Sequence, residues 1–259
     1  MQKLEGKVAI ITGGSRGIGR AIALRLAHGG ARLVLCARGP EALNEVVKEI
    51  ASAGGTALSV AADLRVPSEP ARVAEATVKA YGGIDIVVNN AGATKRGDFL
   101  QLSDDDWADG FALKFFGAVR LTRSAWSELK KSGGSVLNIS GAGGRTPGPE
   151  FTIGGSVNAA LLSFTKAMAD VGIRDGVQVN AINPGTIRTG RLQMRLASIV
   201  EEQQIDLATA ERRFVQAAQV TRIGEPEDVA SLVAFVVGPE GRFLQGSLID
   251  IDGGSTKTI

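Results

Sequence analysis

Short apolar runs alternate along this chain with amphipathic stretches. Residues 8–11 and 84–88 are examples of such runs, and most of them are apolar almost throughout rather than at every second position. Strands of this kind need helices on both faces, which is the usual environment of a parallel sheet. The alternation therefore predicts an α/β protein made of βαβ units, with a doubly wound parallel sheet.

We predict seven strands and seven helices in a single domain, residues 1–259. The strands are expected near residues 7–12, 32–37, 56–61, 84–89, 134–140, 176–183 and 246–251. The helices are expected near residues 17–29, 40–53, 68–81, 104–131, 155–173, 191–217 and 226–237. The sequence contains no internal repeat, low-complexity segment or linker that would divide it.

Composition excludes several classes of function. The formal net charge is +2, with no local block of Lys and Arg, so no nucleic-acid partner is predicted. No apolar run approaches the roughly 18 residues of a membrane span, and residues 1–7 are too polar for a signal peptide. The single cysteine, Cys36, and the single histidine, His28, leave no zinc cluster. We expect a cytoplasmic protein without a metal site and without a membrane partner.

A glycine-rich turn follows the first predicted strand and opens the first predicted helix. Residues 12–19 read Thr-Gly-Gly-Ser-Arg-Gly-Ile-Gly. Glycines at positions 13, 17 and 19 permit a tight turn and a close backbone approach, and a helix N-terminus attracts a pyrophosphate. This context predicts a Rossmann-like dinucleotide site.

The end of the second predicted strand indicates which dinucleotide is bound. A carboxylate there would bind the ribose diol of NAD(H), but the chain has Ala37 followed by Arg38. Arg38, together with Arg16 of the glycine-rich turn, would bind a 2′-phosphate through charge-assisted hydrogen bonds. We therefore predict NADP(H) rather than NAD(H); the alternative is that both arginines are simply solvated.

Five segments, in order, resemble the short-chain dehydrogenase/reductase family over essentially the whole chain. They are residues 12–19, 61–64, 89–92, 183–189 and 224–229, followed by a terminal Ile-Asp-Gly-Gly at 251–254. The resemblance implies a hydride-transferring oxidoreductase with a small-molecule substrate that assembles as a homodimer or homotetramer. The cofactor-binding residues that it implies, together with those of the turn, are Gly13, Ser15, Arg16, Gly17, Ile18, Gly19, Arg38, Asp63, Leu64, Asn90, Ala91, Gly92, Pro184, Gly185 and Thr189.

The same resemblance places other residue types where the family has its Tyr, Lys, Ser and Asn catalytic side chains. These four positions are occupied by Gly154, Asn158, Gly141 and Lys114, respectively. A wider Tyr–Lys spacing, used by one branch of the family, would place Phe151 at the Tyr position. The one tyrosine of the chain, Tyr81, precedes the fourth predicted strand, so we expect a divergent member that uses no tyrosine acid.

Lys114, Asn158 and Ser140 are the candidate catalytic residues. Burial of Lys114 would lower the pKa of its ammonium and make it a better acid near neutrality; the alternative is that the side chain extends out of a relaxed site. Asn158 retains the polarity to bind a ribose hydroxyl. Glu150, Thr152 and Ser156 also lie close in sequence to the replaced positions. The alternative for Thr152 and Ser156 is a cap or turn role, and the alternative for Glu150 is a solvated carboxylate in a loop.

Substrate class and activity stay open at this level. Lys95, Arg96 and Arg145 come from segments that flank the substrate cleft in the family, and would favour an anionic or acyl-thioester substrate. Residues 188–220 are predicted to form a substrate lid; the alternative is a partner-binding helix. The function predicted is an NADP(H)-dependent oxidoreductase acting on a carbonyl or alcohol, such as a 3-oxoacyl compound, with non-standard acid–base residues. The alternative is a catalytically degenerate NADP(H)-binding sensor or partner subunit.

Overall fold

The protein is built on one parallel sheet. The structure is a computed structural model that describes residues 4–258. Its strands run in the order β3-β2-β1-β4-β5-β6-β7, which confirms the predicted fold class. Their bounds are β1 (Val8–Thr12), β2 (Arg32–Ala37), β3 (Thr56–Ala61), β4 (Ile86–Asn89), β5 (Ser135–Ile139), β6 (Gln178–Pro184) and β7 (Leu248–Ile251).

The helices cover both faces of the sheet. Their bounds are α1 (Gly17–His28), α2 (Pro40–Ser52), α3 (Glu69–Tyr81), α4 (Asp104–Gly110), α5 (Gly117–Ser132), α6 (Thr152–Asp175), α7 (Gly190–Gln203), α8 (Leu207–Ala218) and α9 (Pro226–Val237). A π-helical segment, Phe111–Phe116, joins α4 to α5 without a break.

Two of the predicted helices differ from the observed ones. The helix predicted at 191–217 is two helices, because Gln204 ends α7 in the left-handed conformation with a φ of 52° and the Asp206 side chain caps α8 by accepting from the Thr209 N–H. The helix predicted at 155–173 begins at Thr152. The capping box at Ser103 and Asp106 starts the long 104–132 helical stretch.

Successive residues of the central strands face opposite layers. Ile11 of β1 packs with α1, α2 and α9 on one face of the sheet, while Ile10 packs with α3, α5 and α6 on the other. Both side chains are fully buried. The two buried faces explain why the strands read as continuous apolar runs.

The topology places a crevice between β1 and β4. The chain runs outward from β1 to β3 and then returns to pair β4 with β1. In such sheets, ligands bind beyond the carboxyl ends of the strands at this reversal. The predicted site segments at 12–19, 89–92, 140 and 184–189 all follow the carboxyl ends of strands.

Among the described residues, no helix combines the length and apolar character needed to cross a bilayer. Within the same residues, no group of three or more His, Cys, Asp and Glu side chains is placed to hold a metal ion. Residues 1–3 of the polar N-terminal segment, and residue 259 of the predicted domain, lie outside the described residues.

Candidate active site

Hydrogen bonds between two segments hold the glycine-rich turn against the end of β4. The Thr12 hydroxyl accepts from the backbone N–H groups of Asn90 and Ala91, at 2.9 Å each. The Asn90 amide donates in return to the Thr12 carbonyl at 2.9 Å. These bonds fix the two sides of the crevice relative to each other.

The glycines of the turn are required by close packing. Gly13 has a φ of 68°, and a side chain on Gly19 would place its Cβ 2.1 Å from the Gly13 carbonyl oxygen. Within the described part of the chain, no side chain caps the first turn of α1, whose N-cap is Arg16. Its free N–H groups and the positive end of its dipole therefore suit a phosphate. The turn fits the pyrophosphate of a dinucleotide.

The opposite wall brings Thr189 to the same turn. Thr189 is the N-cap of α7, and a Cβ on Gly17 would lie 3.3 Å from its methyl group. Gly185, one residue beyond β6, packs against the backbone of Asp252, where a Cβ would come within 2.7 Å. The predicted residues after β1 and β6 therefore line one crevice.

The end of the crevice that is predicted to hold the adenosine contains Arg65, a residue that the sequence reasoning missed. The Asp63 carboxylate binds the Arg65 guanidinium through both oxygens, and Arg65 also reaches Asp109 at 2.6 Å. The hydrogen bonds from Arg65 are the main cause that lowers the pKa of Asp63, and the charge of Arg38 adds to them. Arg38 itself is exposed at the end of β2, as a 2′-phosphate ligand requires.

The three candidate catalytic residues meet at one point. The Lys114 ammonium donates to the Asn158 side-chain oxygen at 2.6 Å and to the Ser140 carbonyl oxygen at 2.7 Å. Burial, with a contribution from the charge of Arg191, lowers the pKa of Lys114 to about 7. Lys114 therefore does not extend into solvent: it points into the crevice as a half-buried cation.

Ser140 contributes its backbone rather than its hydroxyl. Its side chain is buried, and the hydroxyl donates to the Asn158 carbonyl oxygen at 3.1 Å. The hydroxyl is thus committed to holding α6 against the end of β5. Ser140 and Asn158 together orient the Lys114 ammonium.

The phenylalanine ring of Phe151 packs over Gly154. A Cβ on Gly154 would lie 2.1 Å from two ring carbons of Phe151, and one on Gly143 would lie 2.8 Å from the ring. The guanidinium of Arg96 stacks on the ring, 4.2 Å from its centre. Gly154 and Phe151, the two positions considered for the tyrosine, are therefore in contact, and the Phe151 ring occupies the space beside Gly154.

The structure separates the other polar candidates from this cluster. The Thr152 hydroxyl is buried with no hydrogen-bond partner among the described residues, so it caps nothing. Ser156 and Glu150 are exposed. Tyr81 packs at the end of α3, with Arg32 above its ring and its hydroxyl 3.5 Å from the Leu33 carbonyl oxygen.

Two of the three predicted cleft cations are bound to carboxylates of this chain. Lys95 pairs with Asp106 at 2.9 Å, and Arg145 pairs with Asp250 at 2.6 Å. Lys95 and Arg145 are therefore already paired within the chain, and their role toward a substrate anion stays a prediction. Arg96 forms no ion pair with any described residue.

Residues 188–220 form a small unit beside the crevice. Leu192 and Leu196 of α7 pack with Ala210 of α8 in a separate apolar cluster. Arg188, which precedes α7, binds Glu211 of α8 and also Glu225. Arg191, a residue that the sequence reasoning missed, reaches across the crevice and donates to the Gly92 carbonyl oxygen.

The comparison with known proteins decides the family. Residues 7–198 match the short chain dehydrogenase family. The chain belongs to this family. It is also 39% identical to an uncharacterized oxidoreductase of Mycobacterium tuberculosis, over 99% of this chain and 94% of that protein.

Two solved structures of short-chain dehydrogenase relatives are informative about the crevice. L-sorbose reductase from Gluconobacter frateurii, complexed with NADPH and L-sorbose, is 32% identical with a TM-score of 0.96 over the full length of both chains. An NADPH-bound short chain oxidoreductase from Pseudomonas aeruginosa, described as containing an atypical catalytic center, is 26% identical with a TM-score of 0.91 over 98% of each chain.

Proposed function

We propose that this short-chain dehydrogenase relative is an NADP(H)-dependent oxidoreductase that acts on a carbonyl or alcohol and uses the Lys114 ammonium in place of a tyrosine acid. The observation that carries the proposal is the Lys114–Asn158–Ser140 cluster. It places a cation with a pKa of about 7 at the floor of the crevice. A general acid is most effective when its pKa lies near the working pH.

The cofactor assignment is supported by the crevice and by relatives that bind NADPH. The glycine-rich turn and the N-terminus of α1 would hold the pyrophosphate, and Arg16 and Arg38 would bind the 2′-phosphate. Asp63 and Leu64 would contact the adenine. Pro184, Gly185 and Thr189 would hold the nicotinamide end.

The chain's own contribution to the reaction is positioning and proton transfer. The bound nicotinamide would supply the hydride chemistry. Lys114 would donate its proton to the substrate oxygen in the direction of reduction. Asn158 and the Ser140 carbonyl hold the Lys114 ammonium in place through their hydrogen bonds.

The test compares Lys114→Met with Lys166→Met, which removes an exposed lysine of α6. NADPH oxidation is followed with a panel of 3-oxoacyl, quinone, ketose and steroid carbonyls, and NADPH binding is measured by energy transfer from Trp. Lys114→Met should lower kcat by about 10²- to 10⁴-fold, with NADPH affinity retained. Unchanged turnover in Lys114→Met ends the assignment of the acid.

A second function is favoured by one observation, the Phe151 ring that covers Gly154. A crevice closed at this point suits a non-catalytic NADP(H)-binding sensor or partner subunit. Tight NADPH binding with no turnover of any panel member supports this second function. If neither NADPH nor NADH binds, both proposals fail.

We also propose a single-domain protein that forms a homodimer or homotetramer and resides in the cytoplasm. The assembly is supported by large exposed apolar side chains on helices and loops away from the crevice, which include Phe116, Ile173, Phe235 and Phe243. The cytoplasm is the compartment that keeps a lone thiol such as that of Cys36 reduced. Light scattering after size-exclusion chromatography measures the mass of the assembly.

A further inference from the structure

Two arginines beside the crevice, Arg96 and Arg195, are not neutralised by carboxylates. Arg96 and Arg195 form no ion pair with any described residue, in contrast to Lys95 and Arg145. Glu150 faces Arg96 and is the carboxylate whose charge acts on it, but the pair does not close to a salt bridge within residues 4–258. Because exposed cations are common on protein surfaces, the positions of Arg96 and Arg195 relative to the crevice are what indicate a role for them.

Arg191 and Arg195 lie four residues apart on α7, so they share one face of the helix. That face points to the crevice, because the Arg191 guanidinium donates to the carbonyl oxygen of Gly92. A Cβ on Gly92 would in turn lie 2.8 Å from the Lys114 side chain. Arg195 therefore lies one helical turn further along the same wall.

Arg195 lies close enough to Arg96 for its charge to act on the Arg96 guanidinium. Burial and the nearby charge of Arg195 both lower the pKa of Arg96, while Glu150 opposes them. Arg96 is held in place by the face of the Phe151 ring, and Arg195 by the face of the Phe214 ring, 5.1 Å from its centre. Aromatic faces position both guanidinium groups without neutralising them.

Like charges brought together in this way oppose folding slightly, and a bound anion would reverse the effect. Arginines at i and i+4 repel by a few tenths of a kcal/mol, and Arg96 adds a third positive charge. Two guanidinium forks from opposite walls suit the geometry of a carboxylate or phosphate group.

We propose that Arg96 and Arg195 form an oxyanion subsite, so that the substrate is a carbonyl or hydroxyl compound carrying a carboxylate or phosphate group. The Phe151 ring lies between this subsite and the Lys114 cluster and sets the apolar spacer between the two ends of the substrate. The inference rests on the proposed function for the carbonyl or hydroxyl end of the substrate. Binding of the anionic end can be measured without turnover.

The test uses matched probes in calorimetric titrations of the NADP⁺-saturated protein, repeated without NADP⁺. The pairs are 4-carboxybenzaldehyde with methyl 4-formylbenzoate, levulinate with methyl levulinate, and glyceraldehyde 3-phosphate with glyceraldehyde. The variants are Arg96→Gln and Arg195→Gln, and the control is Arg25→Gln, an exposed arginine in the last turn of α1.

At least one anionic probe should bind at least about 10-fold more tightly than its neutral counterpart. Arg96→Gln and Arg195→Gln should each remove most of this preference, and Arg25→Gln should keep it. Levulinate and glyceraldehyde 3-phosphate distinguish a carboxylate from a phosphate group. Equal binding within every pair, no binding of any probe, or equal losses in all three variants overturns the proposal.

The two proposals fail in distinguishable ways. A protein that binds the anionic probes but reduces none of them retains the oxyanion subsite and loses the assigned acid. A protein that reduces the neutral aldehydes as well as the anionic ones retains the acid and loses the subsite.

Discussion

Two glycine-rich regions of this short-chain dehydrogenase relative differ in what fills the space that their glycines leave. In the turn at 12–19, a Cβ on Gly19 would lie 2.1 Å from the backbone carbonyl oxygen of Gly13 and 2.6 Å from the Asn90 amide nitrogen, which is itself hydrogen-bonded to the Thr12 carbonyl oxygen. In the segment at 141–155, the space over Gly154 is filled by the side-chain ring of Phe151, at the same 2.1 Å.

The comparison shows that a close contact with a new Cβ lowers stability only when the neighbouring atom cannot move. Backbone of a packed turn between β1 and α1 is held by hydrogen bonds to β4. A phenylalanine ring at the start of a helix can rotate into the crevice. The first region is therefore expected to be intolerant, and the second to be adaptable.

The largest effect is expected from Gly19→Ala. The new Cβ must displace the turn itself, so the free energy of unfolding should fall by about 2–4 kcal/mol, and NADPH binding should be lost. Urea denaturation and Trp energy transfer measure the two effects. Retention of both wild-type stability and NADPH affinity would contradict the backbone argument.

Arg38→Ala sharpens the comparison from within the first region. Loss of a charge-assisted contact to the 2′-phosphate should weaken NADPH binding about 10- to 100-fold. NADH, which has no 2′-phosphate, should bind as before, and Arg25→Ala should change neither. An equal loss for NADPH and NADH would show that Arg38 acts on the fold and not on the phosphate.

The pH dependence of stability tests the second region. Lys114 has a folded-state pKa of about 7, below its ordinary value. Between about pH 7 and pH 10, the Lys114 side chain therefore binds more protons in the unfolded chain than in the folded protein. Its contribution to the free energy of unfolding rises with pH over this range.

Lys114→Met should remove this rise, while Lys48→Met, at an exposed position of α2, should leave it intact. Chemical denaturation of the cofactor-free protein at pH 7, 8, 9 and 10 gives the two slopes. Identical slopes for wild type and Lys114→Met would place the Lys114 ammonium in solvent.

The smallest effect is expected from Gly154→Ala. Alanine favours the helix by about 1 kcal/mol over glycine, and displacement of the Phe151 ring offsets a similar amount. The net change in unfolding free energy should stay within about 1 kcal/mol, measured by urea denaturation. A loss as large as that of Gly19→Ala would mean that Phe151 is as rigid as the turn.

Sequence reasoning reached the fold because its signals are local. Apolar runs and the glycine-rich turn act within a few residues, and the parallel sheet follows from the alternation of strands and helices. The order of the strands in the sheet was not predicted. The main failure, the single helix at 191–217, also has a local origin, since Gln204 shows no sign of the left-handed conformation that it adopts.

The candidate site was predictable to the extent that it follows strand ends. The segments after β1, β4, β5 and β6 meet because parallel strands end at the same edge of the sheet. Their long-range partners were not predictable: Arg65, in the turn after β3, binds Asp109 of α4, and Arg191 reaches Gly92 from 99 residues away.

The amino-acid sequence alone determined the doubly wound sheet, the glycine-rich turn and the absence of a second tyrosine, because each depends on residue type and spacing. The tertiary structure alone decided that Lys114 meets Asn158, that Phe151 covers Gly154, and that Lys95 and Arg145 are neutralised while Arg96 is not. These are contacts between side chains from different elements, and their charge and burial exist only once the helices pack.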